Sequence, residues 1–234
     1  MSCPHATAAA AYIKSFNPIW SPAAIKSALM TTASSMSTKN NPDAEFAYGA
    51  GQINPVKAVN PGLIYDAGET DFINFLCGQG YSTKLLRLVT GDNNNCSKAN
   101  SATVWDLNYP SFALSAPSRK SVTRVFHRTV TNVGLSVSTY KAIVEAPSEL
   151  QVQVKPSVLS FKYTGEKKSF PVSVRAKLDS SIISGSLVWD DGVHQVRSPI
   201  VVILPESFLF VLPQKPEDFP CWKSGLTCNS TMLL

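Results

Sequence analysis

The chain has 234 residues, 44% of them hydrophobic and 16% charged, a globular composition that excludes an intrinsically disordered protein. Its 21 Lys and Arg exceed 16 Asp and Glu, for a net charge of +5. The excess lies in residues 104–204, mostly spread singly between apolar positions as on a solvated sheet face, so no nucleic-acid partner is expected. The longest apolar stretch, residues 200–212, is broken by Pro205, Glu206 and Ser207. It falls short of the ~20 residues of a bilayer span, so no membrane partner is expected.

The first third reads helical. Pro4 suits a first helical turn, where its missing N–H is not needed. An alanine-rich run at residues 6–13 follows and ends at Asn17-Pro18. Alanine has the best helix propensity and permits close approach of neighbours, so this helix is expected in a buried position. The same grammar recurs at Ser21-Pro22, with Ser21 as N-cap and Ile25, Ala28, Leu29 and Thr32 on one face. Residues 34–54 read as loops and turns, and residues 55–59 as one further helical turn.

Residues 66–89 read as a small helical insert. Its apolar faces are Phe72, Phe75, Leu76 and then Leu85, Leu86, Val89, separated at Gly78-Gln79-Gly80. Residues 90–103 read as a polar loop. From about Val104 the period changes to 2: Tyr140, Ala142, Val144, then Val152, Val154, then Phe170, Val172, Val174, Ala176 alternate with mostly polar neighbours. Such alternation marks strands with one buried face. Asp191-Gly192 reads as a two-residue hairpin turn. Short strands at this spacing imply a β-sandwich of ~100 residues. Beyond Pro205 no periodic pattern is visible.

Five cysteines stand at positions 3, 77, 96, 221 and 228, none in a C-x-x-C pair, so no zinc site is expected. Cys77 and Cys96 enclose a Gly- and Asn-rich segment. A disulfide there would stabilise by roughly 3 kcal/mol in the chain-entropy model, and two free thiols are the alternative. Residues 1–30 lack a charged start followed by an apolar core, so no secretory leader is expected within them. Two glycosylation sequons occur, Asn95-Cys96-Ser97 and Asn229-Ser230-Thr231, and they matter only in a secreted chain.

Met1-Ser2-Cys3-Pro4-His5, the stretch Trp20-Ser21-Pro22-Ala23-Ala24-Ile25-Lys26-Ser27-Ala28-Leu29-Met30-Thr31-Thr32-Ala33 and Phe46-Ala47-Tyr48-Gly49-Ala50-Gly51 occur in order. They are followed by Asn60-Pro61-Gly62-Leu63-Ile64-Tyr65-Asp66, Asp106-Leu107-Asn108-Tyr109-Pro110-Ser111, Arg128-Thr129-Val130-Thr131-Asn132-Val133-Gly134 and Arg197-Ser198-Pro199-Ile200. Together, over residues 1 to about 203, they resemble plant subtilisin-like serine proteases of the cucumisin-like type (peptidase S8).

The resemblance implies an α+β composite. Residues 1–66 would be the C-terminal piece of a subtilisin-like catalytic domain and 67–103 a helical linker and loop. Residues 104–204 would be a fibronectin type III-like sandwich, and 205–234 an unstructured tail. It also implies a C-terminal fragment of a secreted serine endopeptidase. In this family the nucleophile stands in Gly-Thr-Ser-Met, so the serine would directly precede Met1. The family's Asp, His and oxyanion Asn lie further toward the N-terminus, leaving no catalytic residue in this chain, no cofactor and no metal.

Ser2 does not replace the nucleophile, because two residues turn a helix by ~200° and a triad also needs a base and an orienting carboxylate. His5, His127 and His194 are expected to be structural or solvated. Peptidase activity is therefore expected only by family, not from the chain alone. The first third, deprived of the sheet its helices would cover, is expected to be the less stable part, with Tyr12, Ile13, Ile25 and Leu29 short of partners. The expected partners are protein or peptide substrates of the intact family enzyme. The alternative function is a non-catalytic sandwich module, or a decoy that contacts an intact protease catalytic domain. The expected location is extracellular (apoplast). An incomplete gene model or a true truncated product would each account for the ends of the sequence.

Overall fold

A computed structural model describes residues 2–37, 41, 43–96, 103–116, 121–178 and 180–204. The expected tail at 205–234, with Cys221, Cys228 and the Asn229 sequon, lies outside the described residues, as do residues 97–102 of the polar loop. Helices come first and a β-sandwich follows, so the fold is the α+β composite that the sequence implies.

Helix α1 spans Ser2–Phe16 and α2 spans Pro22–Thr31. Ser21 caps α2: its Oγ accepts the Ala24 amide at 3.0 Å, and Pro22 occupies the first turn. Two short helices follow, α3 (Glu45–Tyr48) and α4 (Pro55–Ala58), the latter capped by Asn54, whose carbonyl oxygen accepts from Lys57 N. Ile13, Ala28 and Ala58 form a small core, with Trp20, Ile25 and Leu29 packed against it. Ile13, Ile25 and Leu29 therefore do find neighbours. The expectation of a buried α1 is corrected: only Ala9 and Ile13 are buried, while Tyr12 and Phe16 stand 45% and 57% exposed. The helix packs by one side on α2 and α4, where Ala9 and Ile13 are buried, while Ala8 and Ala11 are exposed.

The insert consists of α5 (Glu69–Gly78) and α6 (Thr83–Thr90). Gly80, at φ +86°, makes the break between them. Here the expected faces are only partly observed. Ile73 and Leu86 are the buried residues, whereas Phe72 and Val89 are exposed. Each helix is three turns or fewer and fully buries a single residue, while Phe75 and Leu76 are half-buried. Cys77 and Cys96 are joined as a disulfide, with Cα atoms 5.4 Å apart, which decides between the two alternatives left open by spacing. Cys3 is an exposed free thiol.

The sandwich has two sheets. One has the order β1-β3-β7-β5, from β1 (Leu63–Ile64), β3 (Val122–Asn132), β7 (Lys167–Ala176) and β5 (Leu150–Val154). The other has the order β2-β9-β8-β4-β6, from β2 (Phe112–Ser115), β9 (Gln195–Ile203), β8 (Ile182–Asp190), β4 (Ser138–Glu145) and β6 (Val158–Phe161). Pairing is antiparallel except for β2 with β9. Phe126, Val130, Phe170 and Val172 of the first sheet share one core with Phe112, Tyr140, Phe161 and Trp189 of the second.

The period-2 pattern of β7 is observed in full, with Phe170, Val172, Val174 and Ala176 all buried. In β4 it fades: Tyr140 is buried, but Ile143 and Val144 are 45% and 39% exposed. The β6 side reaches β4 as far as Ala142, whose amide donates to the Ser157 carbonyl at 2.9 Å, and past it β4 is an edge paired with β8 alone. The β8–β9 turn is longer than expected. Asp190 pairs with Gln195, which leaves a four-residue loop. The Asp191 carboxylate closes it by accepting the amides of Val193 at 2.9 Å and His194 at 2.5 Å, and Gly192 takes φ +88°. Such side-chain capture of backbone amides competes with a tight two-residue turn.

Candidate functional site

The helical segment is joined to the sandwich by buried polar contacts. At the start of α2, the Ser21 hydroxyl donates to Asp66 Oδ1 at 2.6 Å while capping the helix. Further along α2, the buried Ser27 Oγ accepts the Tyr65 amide at 2.9 Å. Tyr65 itself is 1% exposed, and its hydroxyl lies 3.0 Å from Ser198 Oγ on β9. Burial pushes the Tyr65 phenol up to about 12, so it is neutral over the ordinary pH range. Arg197, the neighbour of Ser198, donates to the Ala50 carbonyl, and Ser184 of β8 donates to Glu45 at the start of α3.

Two glycines let the chain come this close. Gly51, at φ +120°, lies where a Cβ would come within 2.1 Å of the Ser34 carbonyl, across the Ser34–Gln52 bridge. Gly62, at φ +81°, would place a Cβ 2.6 Å from the Tyr140 hydroxyl and 2.8 Å from the His194 side chain. Only glycine fits both constraints at each position.

A second junction holds residues 103–111 to β3. Arg128 points into the sandwich and is 4% exposed. Its guanidinium donates to the carbonyls of Trp105 (2.7 Å), His127 and Tyr109 (2.9 Å each) and Ser111 (3.2 Å). It also stacks 4.9 Å from the Phe112 ring centroid and 5.4 Å from that of Phe126. Burial pulls its pKa down to about 10, opposed by the nearby Tyr65 and Asp106 side chains, so it remains cationic at neutral pH. Next to it, Asn108 binds both backbone groups of Thr129, accepting from the amide and donating to the carbonyl at 2.9 Å each, and donates to the Asp66 carbonyl at 3.3 Å. The conspicuous motifs at 106–111 and 128–134 thus form one hydrogen-bonded unit. Sequence reasoning recognised them without assigning their role. An arginine at an inward strand position was the available signal.

On the other side of α2 lies an apolar groove of about 910 Å³, lined by Ala6, Ala10, Ile25, Leu29, Met30 and Phe46, with Lys14 and Lys26 also at its walls. A more polar cleft of about 460 Å³ separates Thr31–Ser35 from the sandwich residues His194 and Arg197.

The residues weighed as candidate chemistry do not converge on either cavity as a catalytic group. Ser2 and His5 lie in the exposed first turns of α1. His127 stands on β3 with its side chain 68% exposed, paired through Nδ1 with Asp106 at 2.9 Å. His194 is paired through Nδ1 with Asp191 at 2.9 Å, and its Nε2, the atom a triad presents to its serine, is buried without a hydrogen-bond partner. Among the described residues, no group of three or more His, Cys, Asp or Glu is placed to hold a metal ion, and no helix is long and apolar enough to cross a membrane.

Comparison with known proteins matches both halves of this arrangement. Residues 1–51 match the Subtilase family and residues 106–202 match a fibronectin type-III domain. Subtilisin-like protease SBT4.3 of Arabidopsis thaliana is 50% identical over 204 residues, covering 86% of this chain and 28% of that protein. Subtilisin-like protease SBT4.14 of the same plant is 48% identical over 212 residues, covering 88% of this chain and 28% of its own length. Among solved structures, the FixG-related protein from Vibrio parahaemolyticus covers 38% of this chain at 17% identity and a TM-score of 0.28, a likeness too low to carry an argument. The chain therefore spans little more than a quarter of the curated relatives it matches. With residues 1–51 matching the Subtilase family and residues 106–202 a fibronectin type-III domain, the chain is similar over most of its length to plant subtilisin-like proteases.

Proposed function

We propose that this chain is the C-terminal portion of a secreted subtilisin-like serine endopeptidase. Residues 1–66 supply helices to the catalytic domain, residues 67–103 form a linker and residues 104–204 form a sandwich that buttresses it. On its own the chain hydrolyses no peptide bond. The observation that carries this reading is the groove beside α1 and α2. It is an apolar surface of the kind helices bury against a sheet, and on its reverse side the same helix α2 is fixed to the sandwich by Ser27, Tyr65 and Ser198. One face is thus committed to the sandwich and the other is left for the rest of a catalytic domain.

Triad chemistry needs a nucleophile, a base and an orienting carboxylate within hydrogen-bond reach, plus oxyanion donors. His127 and His194 each hold an aspartate at Nδ1, as a triad base does, but among the described residues neither meets a serine at Nε2, and that of His194 is buried without a hydrogen-bond partner. The substrates of the intact enzyme are proteins or peptides. The Cys77–Cys96 disulfide supports an extracellular location, because such bonds persist in oxidising compartments. Incubation of the purified chain with casein and a fluorogenic peptide tests this. No turnover is expected, and turnover abolished by a serine-directed inhibitor would overturn it. The open groove also favours a second reading, a decoy that binds an intact family protease. Pull-down of such an enzyme by this chain, lost on Leu29→Asp, is its test.

A further inference from the structure

We infer that the polar cleft between the second sheet and the helical segment binds short free peptides in extended form, the peptide amine at Glu145 and the peptide carboxylate at Lys57. Such binding goes beyond the proposed function and needs no protease activity. The cleft measures about 460 Å³, within the ~300–1,000 Å³ of small-ligand sites. Its floor is one face of three strands: Ile143 of β4 pairs with Val188 of β8, and Val188 with Arg197 of β9. Glu145 lies one step along that face, opposite Ser186. In the other direction Lys141 pairs with Asp190 and Asp190 with Gln195, and His194 follows at that end. Lys57 and Asn60 stand on the facing wall. Gly62, just beyond them in sequence, lies against His194, which sets this wall toward the His194 end.

Two of the residues that line the cleft carry a buried nitrogen without a hydrogen-bond partner, His194 at Nε2 and Arg197 at Nε. His194 is 9% exposed. Its Nδ1 lies 2.9 Å from the Asp191 carboxylate, which accepts only, so the ring proton sits on Nδ1 and Nε2 presents a lone pair. Arg197 Nη2 donates to the Ala50 carbonyl, and its Nε–H can only donate. A buried polar group left unpaired is costly. A peptide backbone supplies both complements, an N–H for His194 and a C=O for Arg197. The two residues are three positions apart in the chain, ~10 Å when extended, which is the reach of about three extended peptide residues.

Charge sets the direction of the peptide. Glu145 is exposed and, among the described residues, accepts one long bond, from Ser186 Oγ at 3.5 Å. The charge of Arg197 is compensated more strongly by Glu45 than by Glu145. Asp190 is already engaged by the Gly192 amide at 2.6 Å and by Gln195 Nε2 at 2.9 Å. Glu145 is thus the carboxylate left for an amine, and the exposed Lys57 is the cation left for a carboxylate. From Lys141 to Glu145 the floor runs ~13 Å, so a peptide of about four residues reaches from end to end, over the apolar side chain of Ile143. Both sides of the cleft belong to this chain, and the apolar groove left for the rest of a catalytic domain opens on the other side of α2, so the occupant is a separate peptide.

The probe is the tetrapeptide Ala-Leu-Leu-Ala with free ends, titrated into the purified full chain at neutral pH. Binding is followed by NMR through the ring Cε1–H signals of the three histidines, assigned with His5→Gln and His127→Gln. The His194 signal is expected to shift in a saturable way. Those of His5, on α1, and His127, on the first sheet, should stay in place. Lys57→Gln and Glu145→Gln change exposed side chains and should each weaken binding about two- to fivefold, the scale of one exposed ion pair. Acetylation and amidation of the peptide ends should weaken it at least as much. A His194 signal that does not move at about 10 mM peptide, or three signals that move together, would overturn the inference. Equal affinity for the blocked peptide and in both variants would overturn it as well.

Discussion

The Tyr65 hydroxyl meets Ser198 Oγ at 3.0 Å across 133 residues of sequence, and both side chains are buried. Through this pair, and through the Tyr65 amide on Ser27, helix α2 and strand β9 share one polar contact line. Tyr65→Phe removes one partner and leaves the buried Ser198 hydroxyl to find another, at an expected cost of about 1–3 kcal/mol. Urea denaturation of the variant checks this. A double-mutant cycle with Ser198→Ala should recover part of the loss, because the pair then leaves together.

Arg128 is expected to be the most sensitive position of the sandwich. Arg128→Met keeps much of the volume but strands four carbonyls, with an expected loss of about 3–5 kcal/mol, the scale seen when a buried charge cluster loses one member. Arg128→Lys should not rescue it, because an ammonium cannot reproduce the planar fork. Thermal unfolding of both variants decides the matter, and a lysine variant close to the parent would count against the role given to the fork.

Acid should weaken the β8–β9 loop. Burial pushes the Asp191 carboxyl up. Hydrogen bonds from the His194 ring and from the amides of His194 and Val193 outweigh it, holding the carboxyl below its ordinary 3.8. A carboxyl depressed in the folded state contributes stability above its unfolded pKa and loses it as pH falls through the folded one. The chain should therefore hold this contribution at pH 5 and above, by about one unit over the ordinary carboxyl value, and shed it below pH 3.8. Asp191→Asn should lower stability at pH 7 and flatten the acid limb of a stability–pH profile.

Among the described residues, limited proteolysis should cut first between α1 and α2, where Ile19 is 93% exposed and Phe16 57%. The segment from Ser21 onward should resist longer, because Ser21, Ser27 and Tyr65 tie it to the sandwich. Mass spectrometry of the early fragments reads the order. First cuts within β3 or β9 would contradict it.

Much of the architecture was legible in the sequence, for physical reasons. A strand buried on one face must alternate, so β7 was visible residue by residue. Ser21-Pro22 states a helix start through two local constraints, a capping oxygen and a missing N–H. What escaped were features that depend on distant neighbours. The exposure of Val144 depends on where β6 stops. The exposure of α1 depends on which elements pack against it, and helix propensity is silent on that. The four-residue turn depends on one carboxylate finding two amides. The motifs at 60–66, 106–111, 128–134 and 197–200 signalled a family, but their work as a polar seam around Tyr65, Asn108 and Arg128 is a three-dimensional fact with no period to betray it.

The central claim is that no side chain here attacks an amide bond. Its most direct test is treatment of the purified chain with a fluorophosphonate probe, followed by intact-mass measurement. The expected result is an unchanged mass. A single phosphonyl adduct on any serine, blocked by prior denaturation, would contradict the account.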